Sequence, residues 1–271
     1  MPDGKSILFY TYRHDPEGAE LYTVSLDDGS LTRLTDTYHN EWWSDPSAGN
    51  GIIYVSSDEA RGERFGGSDI VELDLSTGST RQVSAEADHG VFNIQPDLSP
   101  DGKQLLYSQD YIGPKVNAEI ALVDLESGET RNLTNSPAID RSGKWSPDGS
   151  RIVFASDRNG SFDLYTMAPD GSDIQQITDA LSNEANPEWS PDGRHVVYES
   201  DASGVHQLFV LDLGTGQSER ITSSDARDVL PAWSPDGAWI AFTSYRHGDG
   251  DKGDIYVIRP DGTGERRMTP R

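Results

Sequence analysis

The tetrapeptide Ser-Pro-Asp-Gly occurs four times, at 99–102, 146–149, 190–193 and 234–237, with spacings of 47, 44 and 44 residues. A period of this length over most of a chain confines the fold to an array of small units that bury their apolar faces on one another. Pro2-Asp3-Gly4 is a further copy, and SDPSAGNG at 44–51 is a degraded one with a longer turn. Six units therefore begin near residues 1, 44, 99, 146, 190 and 234.

Each unit follows one grammar. After the turn comes a short apolar run such as IVFAS or VVYES, then a variable polar loop and a second run such as LFVLDL. A glycine-centred turn follows, and a third run of the type RNLT or ERIT closes the unit. β-Branched and aromatic runs bounded by Gly, Asp, Pro and Ser read as strands in hairpins. A further strand precedes each turn, as in NEANPEW and RDVLPAW. Four antiparallel strands in such a period describe a propeller blade, and a sandwich or solenoid is the competing reading. The predicted fold is an all-β, six-bladed β-propeller of four-stranded antiparallel blades. It forms one domain over 1–271, with blades at about 1–37, 38–92, 93–139, 140–182, 183–226 and 227–271. Blade one lacks the strand that precedes the turn elsewhere, as expected of a chain cut or re-initiated inside a longer protein. Its inner edge is expected to be open, leaving the chain a monomer or a weak dimer through that edge.

Repeats of the form x-x-P-x-W-S-P-D-G-x-x-I-A-F-x-S, followed by I-Y-V-x-x-x-D-G-x-x-x-R-L-T, resemble the TolB-type propeller. Similar blades occur in the non-catalytic domains of prolyl oligopeptidase-like peptidases. The resemblance covers nearly the whole chain and implies a bacterial cell-envelope setting, periplasmic in a longer parent protein. It says little about function, because the repeated residues are structural. Trp43, Trp145, Trp189 and Trp233 are read as packing between blades.

The formal charge of −24 argues against nucleic acid as a partner and favours a cation or a basic protein or peptide. There is no cysteine, which removes thiolate catalysis and cysteine-ligated zinc. No apolar run is long enough to span a bilayer, so membrane insertion is not expected.

In a propeller the strand before the turn lies nearest the central channel. Counting back five residues from the tryptophan position gives Tyr38, Asn93, Asp140, Glu184 and Asp228; counting back three gives Asn40, Gln95, Ser142, Asn186 and Leu230. Alternation along a strand places the two sets on one face, as two stacked rings. Asn93, Asp140, Glu184 and Asp228 offer the hard oxygen ligands that Ca²⁺ or another divalent cation takes. Tyr38, Asn40, Gln95, Arg141, Ser142 and Asn186 are expected to line the channel, and His39 is the candidate catalytic base. Carboxylates paired to Arg141 and Arg227 around a hydrated channel are the alternative. Two function classes follow: a scaffold binding a protein, a basic peptide or a small molecule, and a calcium-type hydrolase of lactones, esters or phosphotriesters.

Overall fold

The Ser-Pro-Asp-Gly turn is closed by its own side chains. In the computed structural model, Ser99 Oγ donates to Asp101 Oδ1 at 2.7 Å, which also accepts Lys103 N. Gln104 N in turn donates to Ser99 Oγ, and Gly102, at φ +70°, completes the turn to Ser99 O. The turns at 146, 190 and 234 repeat each of these bonds. These donors stabilise the anion, holding Asp148 at about 2, with the Ser146 hydroxyl as the largest cause. In the first turn Lys5 N donates to Asp3 Oδ1 and Met1 stands in the serine's place, its amino group bonding Ser6 O.

The structure describes residues 1, 3–12, 18–37, 40–47, 51–57, 67–84, 90–111, 117–247 and 253–269, and no helix occurs among them. The first sheet has three strands, β1 (Ser6–Thr11), β2 (Glu20–Ser25) and β3 (Leu31–Arg33), in that order. The second holds β4 (Asn40–Ser47), β5 (Gly51–Ser57), β6 (Ser68–Asp74) and β7 (Thr80–Gln82). The third holds β8 (Val91–Leu98), β9 (Gln104–Tyr111), β10 (Asn117–Asp124) and β11 (Thr130–Asn132), joined to the second by one parallel pairing, Ser68 with Phe92. The fourth runs through β12 (Asp140–Trp145), β13 (Ile152–Ser156), β14 (Asp163–Met167) and β15 (Gln175–Gln176). The fifth contains β16 (Glu184–Trp189), β17 (His195–Ser200), β18 (Gln207–Asp212) and β19 (Gln217–Arg220). The sixth contains β20 (Asp228–Trp233), β21 (Ile240–Ser244), β22 (Asp254–Ile258) and β23 (Arg266–Arg267). Among the described residues, five four-stranded antiparallel blades and one three-stranded blade thus follow the expected grammar.

The chain divides into two compact units, one built mainly from Ser6–Ser25 and Ser30–Gly143, the other mainly from Lys144–Arg271. In the first, Ile53, Val55, Ile70, Leu105 and Tyr107 form a core between neighbouring sheets. In the second, Trp189 packs with Val153, Leu164 and Tyr198, and its Nε1 donates to Lys144 O at 3.2 Å. No described helix is long and apolar enough to cross a membrane.

A second bond pattern recurs in all six repeats. The N–H of the second residue of β2, β14, β18 and β22 (Leu21, Leu164, Leu208, Ile255), the third of β6 (Ile70) or the fourth of β10 (Ile120) donates to a Thr or Ser hydroxyl 14 residues on, at 2.8–3.3 Å. The residue before that hydroxyl donates its own N–H to the same Leu or Ile carbonyl. The pair of bonds turns the closing segment back onto the sheet after the short outer strand has ended. Thr222→Ala should leave the buried Leu208 N–H without its acceptor and lower stability by about 1–2 kcal/mol in urea unfolding, whereas Thr222→Ser should retain most of it.

Candidate functional site

The first strands of the four-stranded blades are not regular. The pairing slips between Trp42 and Asp45, Ile94 and Asp97, Ala185 and Glu188, and Val229 and Ala232. The left-handed residues are Trp43, Gln95, Asn186 and Leu230, with Ser142 at the same place in β12. A bulge of this kind takes up an extra residue and re-aims its side chain. The alternation expected to put Asn93 and Gln95 on one face is therefore interrupted at Gln95 itself, and likewise in each counterpart.

The bulges also correct the register of the second blade. Trp43 is the counterpart of Gln95, and Glu41 is the counterpart of Asn93, so the count back from Trp43 to Tyr38 and Asn40 is displaced. Tyr38 and His39 lie outside the described residues. Asn40 is buried and accepts Ala19 N on Oδ1 at 2.9 Å, a bond that ties the start of β4 to the residue before β2.

In the first unit, Asn93 is fully buried and accepts Gln109 Nε2 on Oδ1 at 3.0 Å. Asp140 is fully buried at the head of β12. Glu41 is 1% exposed; Thr37 Oγ1 donates to its Oε1, and its Oε2 has no hydrogen-bond partner among the described residues. Burial, with the nearby Glu20 carboxylate adding to it, raises Glu41 to about 7. Gln95 Oε1 accepts Ser108 Oγ and Ser142 N, so these two bulges are bonded to one another. Arg141 forms an ion pair with Asp110 at 2.6 Å.

In the second unit, Glu184 and Asp228 head equivalent strands but differ in company. Asp228 accepts Arg246 Nη2 on both oxygens, at 3.1 and 2.9 Å, and Ser224 Oγ on Oδ2. Among the described residues no cation is bonded to Glu184; burial raises it to about 7 against the lowering effect of the Thr178 hydroxyl, and its Oε2 has no hydrogen-bond partner there. Asn186 donates Nδ2 to the buried Glu199, whose other oxygen lies 3.7 Å from His206 Nδ1. Burial raises Glu199 to about 7 as well.

Asp228, bound twice by Arg246, does not fit the role of an open metal ligand, and no group of three or more His, Asp or Glu side chains suited to a metal occurs among the described residues. Sequence reasoning missed Glu41, Glu199 and Arg246. The match of Asp45-Pro46-Ser47 to Asp97-Leu98-Ser99 was the signal for the first, and the charge at 199 where the other repeats carry the uncharged Tyr10, Val55, Ser108, Ala155 and Thr243 was the signal for the second.

A family model described as the TolB beta propeller domain matches residues 63–186 and 180–271. A protein of Agrobacterium fabrum described as uncharacterized is 30% identical over 189 residues, covering 66% of this chain and 56% of its own length. The Tol-Pal system protein TolB of Wolinella succinogenes is 33% identical over 104 residues, covering 38% of this chain and 23% of its own. The crystal structure of TolB from Acinetobacter baumannii aligns with a TM-score of 0.79 at 24% identity, over 96% of this chain and 62% of that one, a likeness of fold. The chain thus spans 56% and 23% of the lengths of the two sequence relatives.

The three raised carboxyls set a pH dependence. Each has a folded value near 7 against 4.5 for the ordinary side chain, so the folded state holds the extra proton. Their effect on stability is absent below about pH 4.5 and grows as pH rises through 7, at up to roughly 3 kcal/mol each. The melting temperature should therefore fall between pH 5 and 8, and Glu184→Gln should flatten part of that fall, as thermal unfolding across a pH series will show.

Proposed function

The chain belongs to the TolB beta propeller domain family, and from that premise we propose that it serves as a binding scaffold for a protein or peptide with basic segments. The observation that carries this reading is the acidity of a propeller whose repeated residues are spent on its own structure. Asp and Glu number 46 against 22 Lys and Arg. The turn aspartates bond backbone amides, and the closing threonines hold strands. Such a surface attracts basic partners and speeds their encounter, with strength that falls as salt rises. The naming of one relative as a Tol-Pal system protein supports a bacterial cell-envelope setting, and a periplasmic location is proposed on that basis.

A calcium-type hydrolase is the second reading. What favours it is the unsatisfied, buried oxygen on each of Glu41 and Glu184, which a cation would relieve. Asp228 weighs against it, since its charge is already met by Arg246.

Titration with an arginine- and lysine-rich peptide should give saturable binding that weakens by about tenfold or more between 50 and 500 mM salt and is indifferent to chelator. Salt-independent binding, or none, would count against the scaffold reading. Ca²⁺-dependent turnover of lactone or ester substrates, abolished by chelator and by Glu184→Gln, would establish the hydrolase instead.

A further inference from the structure

In the fourth and sixth repeats an arginine two residues beyond the strand-end serine folds back over the sheet. Arg158 donates Nε to Ser156 Oγ at 2.9 Å, and its guanidinium carbon lies 5.3 and 4.8 Å from the ring centroids of Phe154 and Tyr165. Arg246 donates Nε to Ser244 Oγ at 2.8 Å, lies 4.7 Å from the Tyr256 centroid, and forks onto Asp228. The cation satisfies a carboxylate, a hydroxyl and an aromatic face together.

The fifth repeat keeps this arrangement and omits the arginine. Ala202 stands in its place, exposed to solvent. The backbone there is built alike: Ala202 N donates to Ser200 Oγ at 3.3 Å, as Arg158 N does to Ser156 Oγ at 3.3 Å. The next turn closes alike too, through Gly204 N to Asp201 O and Gly160 N to Asp157 O. Tyr198 and Phe209 stack at 5.7 Å and 23°, matching Phe154–Tyr165 at 5.8 Å and 31° and Phe242–Tyr256 at 5.7 Å and 31°.

The polar groups that an arginine would meet are present, and two of their oxygens are unsatisfied among the described residues; Ser200 Oγ donates to Ser182 Oγ and accepts Ala202 N, and an oxygen lone pair remains for a further donor. Glu184, 3% exposed, pairs across the sheet with Ser200, and Ser200 pairs with Gln207, 1% exposed. Glu184 Oε2 and Gln207 Oε1 both lack hydrogen-bond partners among the described residues. Tyr198 precedes Ser200 by two residues on β17 and shares its face of the strand, and the Asp163 carboxylate adds to the burial that raises Glu184. Burying such oxygens unpaired is costly, and the sixth repeat shows which group removes the cost.

We propose that the fifth repeat is a receptor site for a guanidinium group: an arginine side chain of the bound partner lies over Tyr198 and Phe209 and pairs with Glu184 and Ser200. This deepens the scaffold function and rests on it. A lysine fits less well, because an ammonium cannot donate in a planar fork while lying flat on a ring. Arg220, exposed on β19 opposite Phe209, is the chain's own competitor for the site.

The test uses N-acetyl-arginine methylamide as probe, followed by NMR shifts of the intact chain at pH 8, with the citrulline analogue as its uncharged counterpart. Wild type should bind the arginine probe saturably, and the citrulline and lysine analogues about tenfold more weakly or not at all. Glu184→Gln and Ala202→Arg should both lose binding. Ala202→Arg should also raise the melting temperature at pH 8 by several degrees, because it restores the internal cation, and this readout does not depend on any ligand. Arg220→Ala should bind the probe as well as or better than wild type. Equal binding in all variants, equal binding of citrulline, loss of binding in Arg220→Ala, or no stabilisation in Ala202→Arg would each overturn the site. A basic peptide that binds wild type and both site variants alike would overturn the site while leaving the scaffold function standing; probe binding without any peptide binding would do the reverse.

Discussion

The fold depends on how each repeat returns its outermost segment to the sheet. The outer strands are only two to four residues long, β15 and β23 having two each, too short to hold a position by ladder bonds alone. What holds them is the clamp in which one Leu or Ile offers its N–H to a hydroxyl and its carbonyl to the preceding amide. In three repeats the hydroxyl in turn donates a hydrogen bond to the acid just before that Leu or Ile: Thr35 to Glu20, Thr134 to Glu119 and Thr269 to Asp254. The acid is thereby drawn into the buried first half of β2, β10 or β22, and its charge becomes a local obligation that each repeat meets differently. Arg33 meets it for Glu20 and Arg267 for Asp254.

Those obligations explain why so many carboxyls are buried in a chain whose surface is already negative. A carboxylate removed from water without a cation is held back toward its neutral form, as Glu41 and Glu184 show. One joined to a guanidinium by two charged hydrogen bonds, as Asp228 is to Arg246, has its charge compensated in place. The same strand position thus hosts two electrostatic states, decided by a residue on the neighbouring strand's loop. Function in a repeat protein is more easily built from that difference than from the shared residues.

The parts of the structure legible in the sequence are those with a fixed side-chain requirement. The Pro-Asp-Gly turn needs a short acceptor and a residue at positive φ, and the clamp needs a hydroxyl, so both recur as letters. The bulge does not. Trp43, Gln95, Ser142, Asn186 and Leu230 share a backbone conformation and no side-chain chemistry, so nothing in the alphabet marks the place where the strand stops alternating. The register of the second blade is hidden in the sequence for a related reason. Trp43 looks like the tryptophan of the other repeats but occupies the bulge, and Pro46 holds the position of Leu98.

A missing residue was legible too, once its role was known. Ser156-Asp157-Arg158 and Ser244-Tyr245-Arg246 read in sequence as loop variation, and Ser200-Asp201-Ala202 as one more variant. Only the geometry shows that the arginine closes an electrostatic circuit with a carboxylate, a hydroxyl and a ring, and that the fifth repeat leaves the circuit open with its other members in place. Internal repetition supplies the control: the sixth repeat shows what the occupied site looks like on the same backbone. An open position in an otherwise matched array carries more information about ligand chemistry than a pocket considered alone, because the array itself specifies charge, shape and orientation of what fits.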